Sequence, residues 1–104
     1  MQGFVEVAKV GDVPPGRMKQ VAVGNEWVVL LNVGGEIIAI SDTCTHAGCS
    51  LSEDGSVQGD VMECSCHGSQ FNIRTGVVVS GPAEDPLSTY AVRVAGDRIH
   101  VGRR

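Results

Sequence analysis

The chain has 104 residues, 42% of them hydrophobic, with twelve acidic and eight basic side chains and a formal charge of −4. That length suits one domain, since a second would be too small to bury its own core. The acidic balance argues against nucleic-acid binding, which needs a basic face, and no apolar run approaches the ~20 residues of a membrane span. The first six residues lack the basic and apolar regions of a secretory signal, so a cytoplasmic monomer that touches no membrane is expected.

Residues 4–7 alternate as a short strand, and Asp12-Val13-Pro14-Pro15-Gly16 reads as a turn. Residues 17–23 predict a second strand, turned by Gly24-Asn25 into a third over Glu26–Val33. The run Trp27-Val28-Val29-Leu30-Leu31 is apolar at both parities, which predicts burial on both faces. Gly34-Gly35 leads into 36–40, completing an antiparallel meander. Periodicity disappears from 41 to 60. Short strands resume at 61–63, 70–74 and 77–79, and 80–86 holds two prolines and no regular pattern. Residues 89–94 alternate with Tyr90, Val92 and Val94 on one face, Gly96-Asp97 turns them into 98–101, and the tail is expected to fray. Eight to ten short strands without a helix predict an all-β sandwich or small barrel carrying a loop-built site.

All four cysteines and two of the three histidines fall between 44 and 67, as Cys44-Thr45-His46 and Cys64-Ser65-Cys66-His67, with Cys49 between. Spacings of one and two residues let a thiolate and an imidazole in one turn converge on a point. Two such turns at one end of a β scaffold suit zinc or an iron–sulfur centre, not the oxygen-seeking calcium or magnesium. Zinc fingers group cysteines in one stretch and histidines in another, whereas here each stretch mixes the two. Mixed ligation suits a pair of irons, one taking thiolates and one imidazoles. A zinc-stabilised binding module stays open as the alternative. His100 is expected on the solvent face of its strand, and Trp27 and Tyr90 in the core.

On these motifs the chain resembles Rieske-type ferredoxins along nearly its whole length. Cys44-Thr45-His46-Ala47-Gly48 and Cys64-Ser65-Cys66-His67-Gly68 are similar to the family's two cluster-binding boxes, and Ser80-Gly81-Pro82-Ala83 to its proline loop. The resemblance implies one 2Fe–2S cluster in a single domain whose cluster-binding part spans about 42–82. Cys44 and Cys64 would ligate the inner iron, and His46 and His67 the outer one. It also implies a Cys49–Cys66 disulfide, as in the Rieske proteins of cytochrome complexes, and places Gly48, Gly68, Ser69 and Pro82 around the cluster. Ser69 would donate to a cluster sulfur or else cap a turn. Phe71 stands where high-potential members have tyrosine, so an intermediate potential is expected within the family's roughly −150 to +300 mV. The small ferredoxins of ring-hydroxylating dioxygenases are the nearest pattern. They imply a non-catalytic electron carrier between a flavin-dependent reductase and a terminal oxygenase, with a component of another oxidoreductase, such as a nitrite reductase, as the alternative.

Overall fold

The computed structural model describes residues 3–45, 48–66 and 68–103. In chain order the strands are β1 Phe4–Lys9, β2 Met18–Val23, β3 Glu26–Val33, β4 Glu36–Ser41, β5 Gly55–Gln58, β6 Val61–Cys64, β7 Gln70–Asn72, β8 Val78–Ser80, β9 Thr89–Ala95 and β10 Arg98–Arg103, with a 3-10 turn at Val10–Asp12 and one α-helical turn, α1, at Leu51–Asp54. They form a six-stranded antiparallel sheet, ordered β1-β10-β9-β4-β3-β2, and a four-stranded one, ordered β5-β6-β7-β8.

β3 explains how the two sheets share one chain. Its apolar residues alternate between two cores. Val28 and Leu30 turn into the curve of the large sheet with Val21, Ala39, Ile99 and Val101. Val29 and Leu31 turn the other way, against Leu51, Met62, Phe71, Ile73 and Leu87 of the small-sheet side. Each such side chain contributes about 1.5–3 kcal/mol on burial, so β3 is the anchor of both layers. Cys44 and Cys64 belong to the second core, only 2% and 1% exposed.

The meander β2-β3-β4 forms as its two glycine-bearing turns predict, with Val28 opposite Val21 and Ser41. Other expectations need correction. The stretch 41–60 contains α1 and β5. Gly55-Ser56-Val57-Gln58 has a single apolar residue, so its alternation is too weak to read, yet β5 pairs with β6 along its full length. The tail does not fray as far as Arg103. Gly102 is buried, and a Cβ there would crowd the Gly3 carbonyl at 3.0 Å and the Phe4 ring at 3.1 Å. Trp27 is not core: it is 55% exposed, whereas Tyr90 is buried at 6%. Trp27 shares a face of β3 with Val29 and Leu31, but lies at the strand's start, beyond the reach of the small sheet. Val94 is likewise 48% exposed, because β4 pairs with β9 only at Tyr90 and Thr89. His100 is on the solvent face of its strand, opposite the buried Ile99 and Val101, but partly covered. It lies in register between Glu6 and Arg93, its side chain 20% exposed and its Nδ1 buried without a partner among the described residues.

Candidate metal centre

Two turns with one backbone pattern present the paired cysteines. In the first, the Cys44 N–H donates to the Cys49 carbonyl (2.8 Å) and the Gly48 N–H to the Cys44 carbonyl (2.9 Å). In the second, the Cys64 N–H donates to the Ser69 carbonyl (2.8 Å) and the Gly68 N–H to the Cys64 carbonyl (2.8 Å). Each chain reversal needs a positive φ at its fifth residue, and Gly48 (+72°) and Gly68 (+81°) supply it without the strain a Cβ brings. Sequence reasoning missed this equivalence, because the motifs Cys-x-His and Cys-x-x-His differ in spacing. The shared signal was the cysteine-to-glycine distance of four residues, the same in both.

The turns are tied to each other and to the scaffold. Cys49 and Cys66 form a disulfide, their Cα atoms 6.8 Å apart. The sulfur of Cys64 and both bridge sulfurs lie within 4.8 Å of one another. The Ser65 N–H donates to the Asp54 carbonyl at 2.8 Å. Ser69 is fully buried, and its Oγ accepts from the Ala83 N–H at 3.0 Å, which joins the second turn to the proline segment. That segment contains a cis Gly81–Pro82 bond, and its Asp85 carbonyl accepts from Thr45 Oγ1 of the first turn at 2.7 Å. Its far end is fixed where the Leu87 N–H donates to the Gly76 carbonyl (2.8 Å), so close that a Cβ at Gly76 would collide with the Leu87 carbonyl.

Cys44 and Cys64 are the free cysteines among the described residues, and both are buried. Burial pushes the Cys64 thiol above its ordinary value. The Cys66 backbone N–H opposes this, while the Cys44 thiol and the Asp54 carboxylate add to it. Two buried free cysteines on neighbouring turns can serve as thiolate ligands, because a bound metal cation stabilises the thiolate form. Because Cys49 and Cys66 are consumed by the bridge, a four-cysteine zinc site is excluded. The donor set fits an iron of a two-iron cluster, with imidazoles for its companion. His46 and His67, the sequence candidates for that part, lie outside the described residues.

An antiparallel β scaffold that holds two glycine-closed cysteine turns and a bridge between them defines a cluster-binding electron-transfer domain. Residues 3–91 match the family described as "Rieske [2Fe-2S] domain". The chain belongs to that family, whose cofactor is one 2Fe–2S cluster. The biphenyl dioxygenase ferredoxin subunit of Pseudomonas sp. (strain KKS102) is 45% identical over 93 residues, covering 89% of this chain and 85% of the relative. A chain in the solved complex of reduced oxygenase and oxidised ferredoxin in carbazole 1,9a-dioxygenase is 38% identical, with a TM-score of 0.87, covering 98% of this chain and 94% of that one. The ferredoxin of carbazole 1,9a-dioxygenase from Nocardioides aromaticivorans IC177 superimposes with a TM-score of 0.90 at 30% identity, covering 99% of this chain and 100% of that one.

Proposed function

We propose that the chain is the ferredoxin component of a ring-hydroxylating dioxygenase, a monomeric cytoplasmic carrier of single electrons. It takes them from a flavin-dependent reductase and passes them to a terminal oxygenase. The observation that carries this reading is similarity to dioxygenase ferredoxins over nearly the full length of both chains. No helix among the described residues is long and apolar enough to cross a membrane. A groove of about 280 Å³ at the opposite end from the cysteine turns is lined by Arg17, Met18, Leu31, Val33 and Val57.

Residues 42–82 form the cluster-binding part in this reading. Cys44 and Cys64 hold the inner iron, giving up their protons on loading, and His46 and His67 hold the outer one. When bound, the cluster supplies a centre that accepts and releases one electron at a time. The Cys49–Cys66 bridge keeps the two turns at fixed separation, and Gly48 and Gly68 keep each turn closed. Pro82 covers the site, and Ser69 has a hydroxyl hydrogen of its own to donate toward it.

Charge placement supports a basic partner. At the far end, Arg98 pairs with Glu6 and Asp97, and Arg74 with Glu36 and Asp60. Near the turns Glu53, Glu84 and Asp85 are exposed, and none has an ion pair among the described residues. Electron delivery should therefore slow as salt screens this rim. The decisive experiment reduces the purified chain and mixes it anaerobically with its terminal oxygenase. A red-brown protein with a low-average-g signal, reoxidised by the oxygenase, is expected, and Cys44→Ser should abolish both colour and transfer. A colourless zinc protein, or a cluster protein whose electrons pass only to a different oxidoreductase, would overturn the proposal.

A further inference from the structure

Asp42 is 1% exposed, two residues before Cys44, and four polar atoms reach its carboxylate. Gln20 Nε2 reaches Oδ2 at 2.7 Å, Ser50 Oγ reaches Oδ2 at 2.6 Å, the Ser52 N–H reaches Oδ1 at 2.6 Å and Ser52 Oγ reaches Oδ2 at 3.2 Å. Ser50 Oγ and Ser52 Oγ also lie 3.0 Å from each other, so the group forms one connected network. No lysine or arginine pairs with it among the described residues. A buried carboxylate without a cation is costly, and its donors offset that cost only while all are in place.

Their positions say what the carboxylate holds. Asp42 enters the first turn, while Ser50 and Ser52 leave it. The same closure is repeated in the main chain, where the Leu51 N–H donates to the Asp42 carbonyl at 2.6 Å and Thr43 bridges Ser50. The Asp42 N–H donates to the Trp27 carbonyl at 3.0 Å, and Gln20 lies on β2, so the neck is also moored to the large sheet. Cys44 and Cys49 both hang from this neck.

We infer that Asp42 is a positioning residue for the cluster: its carboxylate closes the neck of the first turn and fixes Cys44. This rests on the reading of Cys44 as a ligand. Asp42→Asn keeps the shape and sets an NH₂ group where an oxygen met the Ser52 N–H or the serine hydroxyls. In the purified holoprotein, an iron chelator should strip the cluster at least about tenfold faster from the variant, and its midpoint potential should shift as Cys44 moves. Parent-like values for both overturn the inference, as does a change in only one. Should Asp42→Asn assemble no cluster, Ser50→Ala decides, since it keeps the carboxylate and removes one donor. Stripping several-fold faster supports the neck, and a parent-like stripping rate overturns it. A parent chain without a cluster signal would refute the ligand reading itself, a result distinct from either.

Discussion

The strands of the large sheet run six to eight residues, whereas those of the small sheet run three or four. The large sheet is held by what its strands are made of, namely paired backbone and apolar side chains buried on a curved face. Strands as short as β7 and β8 cannot hold themselves in that way. Beyond the apolar core it shares with β3, the small sheet is held by specific ties: the Cys49–Cys66 bridge, the Ser69–Ala83 hydrogen bond, the Leu87–Gly76 contact, and Arg74 reaching both Glu36 and Asp60 at 3.0 and 3.1 Å. Stability and ligand geometry are thus separable, one stored in hydrophobic area and the other in a few directed contacts.

Leu30→Ala is the strongest way to break that separation. Leu30 is fully buried in the large-sheet core, and its truncation should cost about 2–5 kcal/mol. Chemical denaturation should show one lower midpoint for the whole chain, while the visible spectrum of the folded protein stays unchanged. A spectrum altered as much as the stability would mean that the two regions are not distinct.

Replacing Cys49 and Cys66 by serine together attacks the other side. The bridge spans a sequence separation of 17, and removing such a link costs about 2–4 kcal/mol in general. Here the loss should be felt locally. Hydrogen exchange should rise in α1 and in the turns at 44–49 and 64–69, and chelators should strip the cluster faster. Protection in β3, β4 and β10 should remain. Uniform loss of protection would contradict the comparison.

The smallest effect concerns Tyr90, the one tyrosine of the chain, so phenolate absorbance reads it alone. Burial first, and then its hydrogen bond to Glu26 at 3.0 Å, hold its hydroxyl above the ordinary value near 10. A group raised on folding stabilises the fold below its unfolded value and loses that contribution as pH climbs through the folded one. Glu26→Gln should therefore bring phenolate formation to lower pH and shrink the stability that is lost on going to alkaline pH, without moving the cluster spectrum. Phenolate formation at unchanged pH would show that burial alone sets the shift.

The sequence made the large sheet readable because its signals are local: alternation, a doubly apolar β3 and glycine-bearing turns. The cysteine turns were readable because few constellations place these residue types so close together. What escaped were features fixed by distant partners. Trp27 is apolar and sits in an apolar run, and only the length of the small sheet decides that it stays uncovered. β5 exists because β6 is there to pair with it. The role of Asp42 is not legible in the chain, since nothing in its neighbours announces Gln20, 22 residues earlier, as its partner.

Each cysteine turn is closed on itself by main-chain hydrogen bonds and a glycine. Ser65, which follows the second cysteine, is exposed, and its side chain takes no part in that closure. Exposed side chains of this kind are free to drift in size, polarity and charge while the sulfurs stay where they are. Such a frame lets a lineage change which protein it serves by rewriting its outer surface, leaving the redox centre to be inherited intact.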